Sequence, residues 1–314
     1  NLGVTLQDLN RLEEAEVSYR KAITLNPEHS VIHNNLGNIL QKIGRLEEAE
    51  VSYRKAITLD PHYATAHYNF GVTLQDLNRL EEAEVSYRQA IALKSDYFES
   101  YSNLGVTQNA MGKLEEAEGS YRKAIQINSN YAEAHGNLGN TLQKIGKLEE
   151  AEVSYKRAIQ INPNYAEVYW NLAIVYHFLN NNDDMILQLE KLIIIDNNNY
   201  GLRAKVNFAI LKFLQNDFVK SKQYILTSSE IQNKLNLKFK NEKVYHTFLL
   251  NLLSWHENNA SVKYDKIFVK KLYVIGESHS LVSHGLYIKN LKGNFLCKAM
   301  LIMGCKQWHL GSAN

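Results

Sequence analysis

The chain has 314 residues, of which 45% are hydrophobic and 22% are charged, and its formal net charge is +2. These values exclude wholesale disorder, and a charge so close to zero gives no electrostatic reason to expect a nucleic acid or a membrane surface as a partner. No apolar run approaches the roughly 20 residues that a membrane-spanning helix needs. We therefore expect a folded protein of about two domains without a membrane span.

A strict repeat of 34 residues begins at the first residues and continues for about two-thirds of the chain. Four positions of the repeat carry the same small or aromatic residue type each time, and proline recurs at a fifth. These are the glycines Gly3, Gly37, Gly71, Gly105 and Gly139, the alanines Ala15, Ala49, Ala83, Ala117 and Ala151, the tyrosines Tyr19, Tyr53, Tyr87, Tyr121 and Tyr155, the alanines Ala22, Ala56, Ala90, Ala124 and Ala158, and the prolines Pro27, Pro61 and Pro163. Such a period predicts a stack of identical supersecondary units.

Each repeat reads as two helices, for example helix A over Ala66 to Asn78 and helix B over Leu80 to Leu93. Gly37 is small enough to let the two helices of one repeat cross closely, and Tyr53 is expected to fill the gap between neighbouring repeats. Pro61 cannot continue a helix, so it predicts the turn into the next repeat.

The charges of helix B follow a simple pattern. Glu81 and Glu82 open the helix, as the helix dipole favours, while Glu84 and Arg88 are spaced as a helical ion pair. We interpret these charges as a solvated outer face without a function.

The ladder of small, large and small residues followed by proline closely resembles the tetratricopeptide repeat (TPR) family. The resemblance implies a mainly α fold, a right-handed superhelix of helix-turn-helix repeats, over residues 1–230. The sixth repeat departs from the pattern at Met185, Leu189 and Leu192, and a degenerate seventh lies around Phe208 and Ser221. Atypical terminal repeats are expected where a solenoid is capped or passed on to another domain.

Amide side chains recur on helix A, which lines the inner groove of such a superhelix. An amide both donates and accepts, so a row of amides can bind an extended peptide backbone of any sequence. The asparagine row resembles the TPR arm of O-linked N-acetylglucosamine transferase, where such asparagines hold substrate peptide. The alternative is that the amides only hydrate a polar face kept by duplication. The predicted contact residues are Asn35, Asn69, Asn103, Asn137 and Asn171, with Gln41, Gln75 and Gln143.

The pattern changes near residue 231, with a helical connector over 231–262 and the start of an α/β domain over 263–314. The sequence "GESHS" follows an apolar strand-like run and resembles the first block of SGNH-type hydrolases, with Glu277 in place of the aspartate of that block. The resemblance implies that Ser278 is the catalytic nucleophile and that Gly304 contributes to an oxyanion hole. The alternative is that Ser278 only caps a helix.

Three functions compete at this point. The first is a scaffold that binds a protein or an extended peptide; the others are a substrate-recruiting arm of an SGNH-type serine hydrolase or acyltransferase, or of a glycosyltransferase similar to the O-linked N-acetylglucosamine enzymes. No cofactor is expected, and no metal, because Cys297 and Cys305 match no zinc spacing. We expect a piece of a longer protein, with the cytoplasm as the default location. The piece by itself is not expected to be an enzyme, and the full-length protein is left open as a hydrolase or a transferase.

Overall fold

The structure, a computed structural model, describes residues 2–196, 199–214, 217 and 219–224, and all of its regular elements in these ranges are helices. The helices alternate as A and B members of successive repeats. They are α1 (Leu2–Asp8), α2 (Leu12–Leu25), α3 (Ser30–Lys42), α4 (Leu46–Leu59), α5 (Ala64–Asp76), α6 (Leu80–Leu93), α7 (Phe98–Ala110), α8 (Leu114–Ile127), α9 (Ala132–Ile145), α10 (Leu148–Ile161), α11 (Ala166–Phe178), α12 (Asn182–Ile195) and α13 (Asn199–Leu214).

Two compact units divide the chain, residues 1–162 and residues 163–314. In the first unit each helix packs against the helices before and after it along the chain, from α1 to α10. In the second unit α11, α12 and α13 pack against one another in the same way. The predicted mainly α solenoid is confirmed. The predicted α/β segment and the domain boundaries at 230 and 262 lie outside the described residues.

Helix B has the predicted bounds, Leu80–Leu93, whereas helix A begins and ends two residues earlier than predicted, at Ala64 and Asp76. The reason for its earlier end is the backbone of Asn78, which has a φ of 58°. A residue in the left-handed region cannot continue a right-handed helix.

In each of the first six repeats the turn between helix A and helix B contains one residue in the left-handed conformation, always at the same repeat position. Only glycine and asparagine occupy it, the two residue types that adopt this conformation most readily. They are Asn10, Gly44, Asn78, Gly112, Gly146 and Asn180, with φ between 56° and 86°.

This turn provides a test of backbone strain. A Cβ at Gly112 would meet no atom within 4 Å, so replacing Gly112 with alanine is expected to cost about 1 kcal/mol through the backbone alone. Replacing it with asparagine should cost less, because the same turn uses asparagine elsewhere. The measurement is the free energy of unfolding in urea, and equal values for the two variants would contradict a backbone origin.

Proline accompanies the B–A turn but is not what ends helix B. Helix α4 ends at Leu59, one residue before the turn that contains Pro61. Helices α6 and α8 end at the same repeat position as α4, although the turns that follow them have Ser95 and Ser129 at the position of Pro61. Local hydrogen bonds also support the turn, such as that from the His62 N–H to Asp60 Oδ1 at 3.0 Å.

The core of each repeat is the contact between the repeat glycine and the repeat tyrosine. A Cβ on Gly37 would lie only 2.7 Å from Tyr53 Cε1, and the Tyr53 side chain is completely buried. The Tyr53 hydroxyl donates to Asn38 Oδ1 at 2.7 Å. Burial raises the pKa of Tyr53, and a hydrogen bond with Thr73 of the next repeat opposes that shift. The ring therefore fills its own repeat and its hydroxyl reaches the neighbouring one, which refines the predicted role.

The interpretation of the helix B charges as a solvated face is wrong for one glutamate in each of the first four repeats. The Glu84 side chain is only 9% exposed and pairs with Arg88 on its own helix at 2.6 Å and with Lys113 of the next repeat at 2.8 Å. The same pattern joins Glu16 to Arg20 and Arg45, Glu50 to Arg54 and Arg79, and Glu118 to Arg122 and Lys147. We call these four glutamates the glutamate ladder.

The second unit shows how the repeat decays. Met185, Leu189 and Leu192 are buried in α12 where the repeat alanines and tyrosine would stand. In the degenerate repeat the Ser221 hydroxyl donates to the Ala209 carbonyl at 2.7 Å, and the Phe208 and Tyr224 rings pack with centroids 4.6 Å apart. The helix-pair geometry is thus retained after the sequence signature is lost.

Candidate functional site

The predicted asparagine row lies on the A helices of the first unit, one residue per helix. Asn35, Asn69, Asn103 and Asn137 stand on α3, α5, α7 and α9, and each is half-buried. Consecutive members are one repeat apart, so they lie along successive helices of the stack. In the second unit Asn171 holds the corresponding position on α11 and is also half-buried.

Part of this row is used within the protein and part is not. The Asn69 Nδ2 donates to Asn34 Oδ1 at 3.0 Å, and the Asn103 Nδ2 donates to the Tyr68 hydroxyl at 3.1 Å. Within the described ranges the Oδ1 atoms of Asn69 and Asn103 accept no hydrogen bond, and the Asn137 side chain makes none. Half-buried amide groups of this kind can still bond to a ligand backbone.

The glutamine row has a structural task that the sequence did not reveal. The Oε1 atoms of Gln75 and Gln143 accept hydrogen bonds from the Tyr87 and Tyr155 hydroxyls at 3.1 Å and 3.0 Å. Gln41 likewise accepts from its repeat tyrosine, at 3.3 Å, and its Nε2 donates to Asp76 of the next repeat at 3.0 Å. These glutamines hold the core tyrosines, which accounts for their recurrence without reference to a ligand.

The fourth repeat departs from this arrangement. Asn109 replaces the glutamine there, and it donates to the Thr141 hydroxyl at 2.7 Å and accepts from Lys144 Nζ at 2.6 Å. Its amide is thus engaged with the next repeat and not with Tyr121. The residue after the repeat glycine also varies: it is asparagine in the second and fifth repeats (Asn38 and Asn140) and valine in the two repeats between them (Val72 and Val106).

Tyr68 is a feature of this face that sequence reasoning missed. It is half-buried on α5, and its hydroxyl accepts the hydrogen bond from Asn103. The corresponding residues of the neighbouring repeats are Asn34, Ser102 and Gly136. Comparing the repeats position by position would have revealed this aromatic residue.

Other predicted features do not enter the described site. Ser278, Gly304 and both cysteines lie outside the described residues. In the described ranges no group of histidine, cysteine and acidic residues is arranged to hold a metal ion. None of the helices described is long and apolar enough to cross a bilayer.

This architecture is that of an α-solenoid of paired helices, with a row of asparagine side chains on its A helices, one residue per repeat. Family models give it a name. Tetratricopeptide repeat models match residues 1–29, 30–63, 132–165 and 166–199, and a TPR repeat model matches 74–112 and 108–146. The chain belongs to the tetratricopeptide repeat family.

Solved structures agree with this assignment. The chain is similar to YrrB, described as a TPR protein with an unusual peptide-binding site, at 26% identity and a TM-score of 0.51 over 60% of this chain and 97% of that one. It is also similar in fold to PilF of Pseudomonas aeruginosa, at 21% identity and a TM-score of 0.56 over 66% and 97% of the two chains. A further fold similarity is to PilW, a type IV pilus biogenesis factor, at 20% identity and a TM-score of 0.56 over 61% of this chain and 89% of that one. No curated protein sequence matches the chain.

The comparisons bear on the predicted resemblances. The matching family models are all tetratricopeptide models and end at residue 199. They support neither the likeness to the glycosyltransferase arm nor the likeness to an SGNH hydrolase. The family assignment therefore rests on the repeats alone.

Proposed function

We propose that this protein is an interaction scaffold that binds an extended peptide segment of a partner protein along the A-helix face of its first unit. Asn69, Asn103 and Asn137 would contact the peptide backbone. The observation that carries the proposal is the free hydrogen-bonding capacity of these three half-buried amides. An extended peptide offers backbone donors and acceptors along its length, which a row of amides can match without reading its sequence.

The likeness to YrrB supports this proposal, because YrrB is itself a TPR protein with a peptide-binding site. The glutamine row is a weaker part of the site. Gln41, Gln75 and Gln143 are already bonded to core tyrosines, so their substitution would disturb packing as well as binding. The asparagines are therefore the better test.

The test is binding of the full chain to an array of 12-residue peptides of random sequence. Changing Asn69, Asn103 and Asn137 together to alanine is expected to weaken binding about tenfold or more, because each lost hydrogen bond contributes roughly 0.5–1.5 kcal/mol. The control is a double variant in which Asn26 and Asn130, two exposed asparagines in turns between repeats, are likewise changed to alanine. Both variants should keep the helical circular dichroism of the wild type.

Equal binding by the wild type and the triple variant would remove the asparagine row from the site. A wild-type chain that captures no peptide at all would overturn the proposed function itself. The alternative functions as an arm of a hydrolase or a glycosyltransferase depend on residues beyond those described, and nothing in the described residues favours either one.

A further inference from the structure

Three tyrosines and one glutamate stand in or next to the A helices of the third, fourth and fifth repeats. We call Tyr68, Tyr97, Glu99 and Tyr131 the tyrosine–glutamate cluster. The Tyr68 and Tyr97 rings pack with centroids 4.9 Å apart and planes inclined by 36°. The cluster touches the proposed peptide site, because Tyr68 accepts a hydrogen bond from Asn103 at 3.1 Å.

The Glu99 carboxylate is half-buried beside these phenols. Burial raises the pKa values of Tyr68, Tyr97 and Tyr131, to about 12 for Tyr97, and the negative charge of Glu99 adds to each shift. Glu99 also stands one helical turn before Asn103 on α7, and Asn103 donates to the Tyr68 hydroxyl, so Glu99 is on the side of α7 that faces Tyr68. Among the residues described, none forms an ion pair or a side-chain hydrogen bond with Glu99.

This isolation contrasts with the glutamate ladder, where each carboxylate has two cationic partners. Glu84, for example, pairs with Arg88 and Lys113. A carboxylate removed from part of its water is stabilised by a cation, and aromatic faces attract cations as well. Tyr97 already shows this attraction, since Lys94 Nζ lies 4.6 Å from its ring centroid.

The combination occurs once in the first unit. One repeat earlier, Asn34 and Thr65 stand where the cluster has Tyr68 and Glu99. One repeat later, Ser102 and an exposed Glu133 stand there. Recent duplication of repeats therefore does not account for the pairing of Tyr68 with Glu99. Both glutamates lie in the first turn of a helix, where the helix dipole favours an acid, so Glu133 is a matched control for that role.

We propose that the tyrosine–glutamate cluster binds the cationic side chain of a lysine or arginine in the peptide that occupies the A-helix face. This inference rests on the proposed function and gives the otherwise sequence-independent groove a preference for one positively charged residue. Glu99 supplies the charge, and Tyr68, which is hydrogen-bonded to Asn103 of the asparagine row, supplies an aromatic face.

The experiment compares peptides on the full chain. Each random 12-residue peptide is synthesised in two forms, with lysine or norleucine at its sixth position. The wild type is expected to favour the lysine form about tenfold on average, and Glu99→Gln should reduce that preference to about twofold. Glu133→Gln should leave the preference unchanged. Tyr68→Ser, which installs the residue found one repeat later, should also reduce it.

The ratio of the two affinities is measured within each variant, so a general loss of stability does not imitate the result. Peptide binding without a lysine preference, or a preference that Glu99→Gln leaves intact, would refute the binding of a cationic side chain by the cluster. Neither result would contradict the proposed function. If no peptide binds, the proposed function fails, and cation binding by the cluster is then tested with tetramethylammonium. That cation should shift the ring NMR signals of Tyr68 and Tyr97 in the wild type and not in Glu99→Gln; equal behaviour of the two proteins would refute it.

Discussion

Replacing Gly139 with alanine is expected to destabilise the first unit by about 2 kcal/mol, the usual cost of overpacking a filled core. The added Cβ would lie 2.5 Å from Tyr155 Cε1. Tyr155 is completely buried, and its one hydroxyl proton is shared between Asn140 Oδ1 at 2.7 Å and Gln143 Oε1 at 3.0 Å. The ring cannot move away without breaking these hydrogen bonds. Urea unfolding followed by circular dichroism measures the effect.

Gly119 is the matched control, because it also lies inside a helix but a Cβ there would meet nothing within 4 Å. Gly119→Ala should stabilise the chain by roughly 0.5–1 kcal/mol, the difference in helix propensity. The two glycine-to-alanine changes are therefore expected to differ in sign. Destabilisation by Gly119→Ala, or stabilisation by Gly139→Ala, would contradict the packing account.

The sixth repeat suggests a rescue. Ala173 replaces the repeat glycine there, and Leu189 replaces the tyrosine sixteen residues later, both fully buried. Combining Gly139→Ala with Tyr155→Leu should therefore cost less than the sum of the two single changes, because the smaller side chain leaves room for the methyl group. Additive costs would mean that the glycine and the tyrosine do not act as a pair.

Replacing Glu84 with glutamine is expected to cost about 2 kcal/mol at neutral pH, since it removes two charge-assisted hydrogen bonds from a nearly buried carboxylate. The cost stays below that of a fully buried pair because Arg88 and Lys113 are 56% and 38% exposed and can regain water. Glu81→Gln, an exposed first-turn control on the same helix, should leave the unfolding midpoint nearly unchanged.

The same substitution has a defined pH dependence. Burial alone would raise the pKa of Glu84, but hydrogen bonds from Lys113, Arg88 and Gln108 outweigh it, and the pKa is lowered. The pKa values of Glu50 and Glu118 are lowered in the same way by their basic partners. A carboxylate with a lowered folded-state pKa stabilises the protein above its unfolded pKa, near 4.3, and this contribution is lost as the pH falls through the folded value.

The stabilising contribution of the glutamate ladder should therefore be nearly constant from pH 8 to about 5.5 and decline below about 4.5, the range set by the unfolded glutamate pKa. The difference between the wild type and Glu84→Gln should shrink in acid, because the wild-type carboxylate becomes protonated there. Thermal melts of both proteins at pH 7 and pH 3 measure this. A difference that stays constant between those pH values would exclude the ion pairs as its source.

The inter-repeat contacts also bear on the proposed site. The asparagine row stands on the A helices, while the glutamate ladder stands on the B helices and joins each repeat to the next. Each Glu of the ladder accepts from a basic residue one repeat ahead, so the spacing of the A-helix amides depends on contacts made elsewhere. Loss of the ladder would then weaken peptide binding without removing a contact to the peptide. Comparing Glu84→Gln with the asparagine variants distinguishes this indirect effect from the loss of direct contacts.

The class of fold follows from the amino-acid sequence alone. Helix B was predicted to the residue, because its apolar and alanine positions repeat without insertion. The asparagine row was placed on one face for the same reason. A strict period of 34 residues leaves each side chain in the same environment in every repeat, so local pattern is sufficient there. The glycine–tyrosine contact was not predicted: the tyrosine was expected to fill the gap between repeats, whereas it packs against the glycine of its own repeat.

Which polar residues already have partners within the protein became clear only from the packing of the helices. Glu84 and Gln75 were indistinguishable in sequence from solvated or ligand-binding side chains, yet one lies between two cations and the other accepts from Tyr87 and Thr107. Both depend on contacts between helices, about 12 to 32 residues apart along the chain. The periodicity of one helix specifies which face a residue occupies; the partner it meets there is fixed only when the neighbouring helix is stacked against it.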